Sequence, residues 1–293
     1  MRPIAWQPLA NMTNPDLGAW LTTATARLRR KSEFPFIEAA AVASFVLQKP
    51  KESIIAHPES VLNEAHLTAL DEAIDRLLNG EPLAYITGRR SFYGLDLQVD
   101  HRVLVPRPET ELLVDLAIDW LQDKQESTRV VDVGTGSGAI AIAIAKELPG
   151  LMNITAIDAS PEALGVARAN AALHHVEDRV TFIQNNLLEG IDEEFDLVLA
   201  NLPYIPTQDL DNSPDLMHEP RAALDGGSDG LRLVERLILS CAGSLAQKGC
   251  VILELQYNQW EAVQKIALMQ YPQAIISIHH DLAAHPRVAC IQT

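Results

Sequence analysis

Val130-Val131-Asp132-Val133-Gly134-Thr135-Gly136-Ser137-Gly138-Ala139-Ile140 is the stretch on which the fold turns. A short apolar run leads into a glycine-rich loop, and an Ala/Ile-rich segment reaching Leu148 follows. That order reads as strand, loop, helix. Glycines in such a loop let backbone approach a ligand closely, and the opening of the next helix favours negative charge. Asn153–Ile157 reads as the following strand and ends at Asp158, a carboxylate placed to accept hydrogen bonds from a ribose diol. Gly134, Gly136 and Ala139 also satisfy the G-x-G-x-x-A pattern of dinucleotide-binding proteins. The loop alone therefore implies a nucleoside cofactor and leaves its identity open, NAD included.

Working outward, Ser160-Pro161-Glu162 supplies an N-cap, a proline at the first helical position and an acidic first turn. Strands are expected at Val180–Ile183, Phe195–Ala200, Val251–Leu255, Ala274–Ile278 and Arg287–Ile291. Helices fall between them, from about Leu231 to Ala246 and near Asn258–Met269. Such alternation predicts an α/β fold, a largely parallel sheet with helices on both faces. The connection His279–Pro286 is too short for a parallel crossover, which needs about a dozen residues, so the last two strands should form an antiparallel hairpin. A seven-stranded mixed sheet is the expectation.

Residues 1–80 read differently. Asp16 can cap a helix ending in the basic Arg27–Lys31 stretch, a second helix follows Phe34-Pro35-Phe36, and a third runs from about Asn63 to Asn79. No strand pattern interrupts them, which suggests a small helical domain. Residues 81–105 alternate around Phe92-Tyr93-Gly94-Leu95 and read as a β-hairpin linker, leaving 106–293 as the α/β domain.

The 293 residues are 47% apolar and carry 23 Lys and Arg against 39 Asp and Glu, a formal charge of −16. That balance argues against coating nucleic acid or an anionic membrane. No apolar run approaches the ~18 residues of a membrane span, and the N-terminus lacks the pattern of a secretory signal. Cys241, Cys250 and Cys290 show no metal-ligand pairing and read as buried or incidental thiols of a reducing cytoplasm. His174-His175 and His279-His280 lack carboxylate partners at ligand spacing, so no metal is expected.

Asn201-Leu202-Pro203-Tyr204 directly follows the strand Phe195–Ala200, which puts it at the carboxyl edge of the sheet where ligands bind in open α/β folds. It resembles the [N/D]-P-P-Y motif of S-adenosylmethionine methyltransferases that act on planar nitrogens. An amide nitrogen has a delocalised lone pair and is a poor nucleophile. The side-chain oxygen of Asn201 and the backbone carbonyl of Leu202 can each accept one N–H, aiming the lone pair at a methyl donor. Tyr204 can stack on the planar group while Pro203 stiffens the turn.

With Glu81-Pro-Leu-Ala-Tyr-Ile-Thr-Gly88, Val105-Pro-Arg-Pro-Glu-Thr-Glu111 and Glu219-Pro-Arg-Ala-Ala-Leu-Asp-Gly-Gly-Ser-Asp-Gly230, these segments resemble the HemK/PrmC family of peptide chain release factor N5-glutamine methyltransferases. The resemblance implies a Rossmann-like methyltransferase fold and S-adenosyl-L-methionine as cofactor. It implies as substrate the glutamine of the Gly-Gly-Gln motif in class 1 release factors, and a cytoplasmic enzyme that is expected to be a monomer without direct nucleic-acid or membrane contact. Gly134, Thr135, Gly136, Ser137 and Gly138 would cradle the methionine part, Asp158 the ribose, and Asn186 and Leu187 the adenine. Asn201, Leu202, Pro203 and Tyr204 would receive the glutamine, with Asn201 shared with the cofactor, and the N-terminal helices would help hold the release factor. Leu202 stands where the family usually has proline, Asn185-Asn186 where an acidic residue is usual, and Gln256 where glycine is common. Asn-Leu-Pro-Tyr is also the form found in rRNA adenine dimethyltransferases, the alternative reading; a non-catalytic cofactor-binding module is the other. Arg107, Glu109 and Glu111 suit either the cofactor mouth or a helix start, and Glu219 with Arg221 is expected to brace the Asn-Leu-Pro-Tyr loop as a pair.

Overall fold

Asp16 accepts a hydrogen bond from the Ala19 backbone N–H at 2.7 Å and starts a helix where the sequence places one. The structure, a computed structural model, describes residues 15–125, 127–150 and 153–293, so residues 1–14 of the expected helical region lie outside the described residues. The chain divides into two units, the first ending at Thr87 and the second running Gly88–Thr293.

In the first unit lie helices α1 (Leu17–Leu28), α2 (Pro35–Leu47), α3 (Lys51–Ala56), α4 (Glu64–Leu78) and α5 (Leu83–Thr87). Leu17, Leu28, Val42, Ile54, Leu70 and Ile74 form its core. Asn63 caps α4 by accepting from His66 N–H at 2.7 Å. The sequence reading missed α3 and α5, which are too short to display a 3.6-residue period.

The second unit begins with the hairpin β1 (Arg89–Phe92) and β2 (Leu95–Gln98). Tyr93 and Gly94 both have positive φ, at 50° and 71°, the twist a two-residue hairpin turn requires. Tyrosine is an uncommon occupant. It is held by its N–H on Glu111 Oε1 (2.8 Å) and its hydroxyl on Asp115 Oδ1 (2.7 Å). Phe92 and Leu97 are buried in the same core as Leu113 and Val114, so the hairpin is packed into this unit.

Next come α6 (Glu111–Leu121), β3 (Arg129–Val133), α7 (Ala139–Glu147), β4 (Asn153–Asp158), α8 (Pro161–Leu173), β5 (Val180–Gln184) and β6 (Phe195–Ala200). A short parallel pair, β7 (Ile205–Pro206) and β8 (Asp225–Gly227), flanks α9 (Thr207–Asp211). The chain closes through α10 (Arg232–Ser240), β9 (Leu245–Glu254), α11 (Trp260–Gln270), β10 (Ile275–His280) and β11 (Pro286–Gln292). The seven-stranded sheet has the order β10-β11-β9-β6-β3-β4-β5. It is parallel from β5 to β9 and antiparallel at β11 and β10, the mixed sheet and closing hairpin that the connection length predicts.

Both faces are covered, which explains the nearly unbroken apolar strands. Val130, Leu197 and Ile252 pack with α6 and α7 on one face. Val131, Val198 and Val251 pack with Leu237 of α10 and Val263 of α11 on the other. One boundary departs from expectation. The helix predicted to reach Ala246 stops at Ser240, and the chain is already in β9 by Leu245. Phe195 N–H donates to Ser244 O at 2.7 Å, recruiting the segment before Gly249 to the sheet, and the ladder slips between Phe195 and Leu197.

Asn170 of α8 is completely buried and bolts three segments together. Its Nδ2 donates to Gln98 O and Ser137 O, both at 2.9 Å, and its Oδ1 accepts from Gln98 N–H at 2.7 Å. Asn170→Ala should cost about 2–4 kcal/mol in chemical denaturation, because buried polar groups are left unpaired. An Asn170→Ala protein as stable as wild type would refute this role.

Candidate functional site

The carboxyl ends of β3, β4, β5 and β6 converge at one edge of the sheet. β3 is flanked by β4 on one side and β6 on the other, so the chain reverses its direction of travel there. A cleft of about 290 Å³ opens at that switch point. Of the residues singled out from sequence, Gly134, Thr135, Gly136, Ser137 and Asp158 line one part of it. Asn186, Leu187, Asn201, Leu202 and Pro203 line the rest. Gly138 and Tyr204 lie outside the lining.

The glycine loop is fixed by its own hydrogen bonds. Gly134 and Thr135 N–H donate to Ile157 O at 2.8 and 2.9 Å, and Gly136 N–H donates to Asp158 Oδ2 at 2.9 Å. Gly134 has φ +77°, and a Cβ there would meet Leu202 Cδ2 at 2.9 Å. The loop and the Asn-Leu-Pro-Tyr segment are thus in direct contact. Asp158 also accepts from Ser160 N–H at 2.9 Å through Oδ1. Each of its oxygens keeps a lone pair for another donor. Desolvation raises its carboxyl above the ordinary range, against the backbone N–H groups that lower it.

Beyond β5, Asn185 Nδ2 donates to Leu187 O (3.1 Å) and Glu189 O (2.9 Å), and Asn186 Nδ2 donates to Glu189 Oε2 (3.0 Å). These bonds hold Leu187 at φ +55°, a costly backbone for a leucine. Leu187 is buried and supplies an apolar wall.

Asn201 Nδ2 donates to Thr110 Oγ1 at 2.9 Å, and Thr110 Oγ1 donates to Glu254 Oε2 at 2.6 Å. Tyr204 donates its hydroxyl to Glu254 Oε1 at 3.0 Å. Burial raises the carboxyl of Glu254 and the phenol of Tyr204 alike. The Tyr204 carbonyl accepts from Gln259 Nε2 at 2.9 Å, and a Cβ on Gly230 would sit 2.1 Å from that carbonyl oxygen. Only glycine fits there, which gives the Asp-Gly-Gly-Ser-Asp-Gly segment a steric role behind the tyrosine.

The expected pairing of Glu219 with Arg221 is not what forms. Glu219 is buried, pairs with Arg107 and accepts from Val105 N–H at 3.1 Å, and Arg107 lines the cleft. Arg221 faces Asp211 (2.7 Å) and Asp225 (3.2 Å) instead. The tertiary packing brings Arg107 to the buried Glu219 carboxylate. A helix starts at Pro108, as the Arg107–Glu111 segment allows, and its Thr110 touches Asn201, which the sequence reading missed. Glu254 and Gln259 were missed too. A lone carboxylate between Leu253 and Leu255 at the end of an apolar strand was the available signal.

Burial holds the three cysteine thiols high, Cys241 and Cys250 at about 12 and Cys290 at about 11, so they are poor nucleophiles. Among the described residues no helix is long and apolar enough to cross a membrane.

The PrmC N-terminal domain model matches residues 19–88, and the methyltransferase small domain model matches residues 110–249. The chain is 38% identical over 245 residues to the release factor glutamine methyltransferase of Coxiella burnetii, covering 83% of this chain and 86% of that protein. It is 34% identical over 285 residues to the bifunctional methyltransferase of Rickettsia bellii, spanning 87% of this chain and 50% of that one, about half its length. Among solved structures, the methyltransferase from Pyrococcus furiosus superposes with a TM-score of 0.51 at 15% identity, over 76% of this chain and 98% of that chain, a likeness of fold alone.

Asp132, beneath the loop, is fully buried, and desolvation pushes its carboxyl up to about 7 despite hydrogen bonds from Thr135 (2.6 Å) and Ala141 N–H (3.3 Å). The folded protein thus holds this proton more tightly than the unfolded chain does. Its contribution to stability is full below the ordinary value of 3.8 and is lost as pH rises through 7. Asp132→Asn cannot ionise, so its stability relative to wild type should grow by a few kcal/mol between about pH 5 and about pH 8 in urea denaturation. An equal difference at both pH values would refute the shift.

Proposed function

The chain belongs to the release factor glutamine methyltransferase family, and on that premise we propose how its own residues perform the transfer. The reaction moves a methyl group from S-adenosyl-L-methionine to the side-chain nitrogen N5 of the glutamine in the Gly-Gly-Gln motif of class 1 peptide chain release factors. Asn201 carries this reading. It stands at the end of β6, tied through Nδ2 to Thr110, in a cleft whose other wall is the glycine loop and Asp158.

The cleft suits the cofactor. Gly136 lines it, and a Cβ at that position would meet nothing nearer than 4.0 Å, so the loop presents bare backbone to open space. Gly134 to Ser137, with Gly138 behind them at the start of α7, would hold the methionine part, Asp158 the ribose hydroxyls through its remaining lone pairs, and Asn186 and Leu187 the adenine. Bound there, S-adenosylmethionine supplies an electrophilic sulfonium methyl.

Asn201 Oδ1 accepts one N–H of the glutamine amide and the Leu202 carbonyl accepts the other. Two acceptors hold the nitrogen with its lone pair toward the methyl and favour the more tetrahedral nitrogen of the transition state. The role at 202 belongs to a backbone carbonyl, so leucine preserves it. Pro203 stiffens the segment, and Tyr204, anchored on Glu254, supplies the ring against which the planar amide stacks. The nitrogen gains a bond to carbon, and its extra proton leaves afterwards, which requires no dedicated base. The first, helical unit holds the release factor, and the enzyme acts as a monomer in the cytoplasm, where its substrate works. The charge of −16 favours a protein substrate over RNA.

Mass spectrometry of the release factor peptide, with and without enzyme and S-adenosylmethionine, should show one added methyl on the Gly-Gly-Gln glutamine. Label in ribosomal RNA and none in the protein would reverse the reading toward adenine methylation. Asn201→Ala should lower turnover by roughly a hundredfold, or about 3 kcal/mol, while cofactor affinity stays nearly unchanged.

A further inference from the structure

We propose that Thr110 and Glu254 are positioning residues for the transfer, forming a one-way hydrogen-bond relay that turns the Asn201 amide so that Oδ1 is the atom left to the cleft. The inference rests on the reading of Asn201 as the acceptor of the substrate N–H.

The direction of the relay follows from counting protons. Glu254 is 1% exposed and touches two hydroxyls, Thr110 at 2.6 Å on Oε2 and Tyr204 at 3.0 Å on Oε1. A carboxylate has no proton to offer, so both hydroxyls must donate. Thr110 has a single proton and spends it there. Its oxygen can then only accept, and the Asn201 atom 2.9 Å away must be the amide NH₂. The reversed amide would set two oxygens against each other with no proton between them. An asparagine at a strand end can otherwise present either atom to a ligand, and an NH₂ group facing an N–H substrate would repel it.

The three residues come from distant parts of the chain, 91 and 144 positions apart along the two bonds. A purely architectural contact would tolerate any neutral hydrogen-bonding substitute. The relay does not. In Glu254→Gln the new amide can donate to Thr110, which frees the Thr110 proton to point at Asn201 and stabilises the wrong face. Protonation of Glu254 would act the same way. Burial raises this carboxyl, Glu109 raises it further, and Thr110, Tyr204 and Arg287 lower it.

The test uses the full-length enzyme at saturating cofactor and release factor. Thr110→Val and Glu254→Gln should lower kcat about ten- to a hundredfold with cofactor affinity within about twofold of wild type, whereas Thr110→Ser should remain within about threefold. Thr110→Val should cause no further loss in an Asn201→Ala background, because both act through one amide. A second readout needs no turnover. The ¹⁵N side-chain resonance of Asn201, identified by its disappearance in Asn201→Ala, should show a protected amide proton in wild type and Thr110→Ser that exchanges freely in Thr110→Val and Glu254→Gln. Wild-type turnover by folded Thr110→Val and Glu254→Gln, or an Asn201 amide unprotected in wild type, would overturn the relay. If Thr110→Val does not fold, Glu254→Gln and Thr110→Ser carry the test alone. An inactive wild type with a protected Asn201 amide would instead overturn the methyl-transfer reading and leave the relay standing.

Discussion

Glu254 is an ionisable carboxyl sealed at the end of a central strand, and a group in that position survives only by being hydrogen-bonded on both oxygens. The donors it collects are Thr110 from the turn into α6, which lines the cleft, and Tyr204 from the loop after β6. Its desolvation is therefore coupled to the geometry of the site. The buried carboxyl joins three segments of chain through directional hydrogen bonds, which an apolar contact of the same volume does not supply.

Around that point the site is built from backbone as much as from side chains. The Gly134 turn and Leu202 meet in van der Waals contact, and Gly230 lies against the Tyr204 carbonyl with no room for a side chain. Asn170 ties the hairpin to the Ser137 carbonyl from below. Leu187 sits in a left-handed conformation held by Asn185. Strain and close approach of this kind persist only where surrounding structure over-determines them. Here the surroundings are the parallel strands, whose carboxyl ends all deliver their loops to one edge.

Much of this was legible in the chain. The glycine loop between an apolar run and an Ala/Ile helix, with Asp158 closing the next strand, located one wall of the cleft. The short His279–Pro286 connection settled the sense of the last two strands, because a parallel crossover does not fit in it. Short elements escaped. Five- and six-residue helices such as α3 and α5 have no period to detect, and the end of α10 was overrun because Ser244 joins the sheet through a bond to Phe195 that no local preference encodes.

The sequence by itself determined the class of fold and the chemical vocabulary of the site, since both depend on periodicity and on residue types adjacent in the chain. It placed Asn201 and Asp158 at strand ends, and a strand end in a parallel sheet is already a position in space. Only the tertiary structure decided partners. Glu219 was free to take Arg221, two residues away, yet holds Arg107, 112 positions distant, because that guanidinium is the one packing brings to it. Thr110 and Glu254 read locally as a helix start and a strand end; their contact exists because β9 and the turn into α6 meet at the same sheet edge. Hydrogen bonds across such separations depend on the assembled core, and no window of sequence contains them.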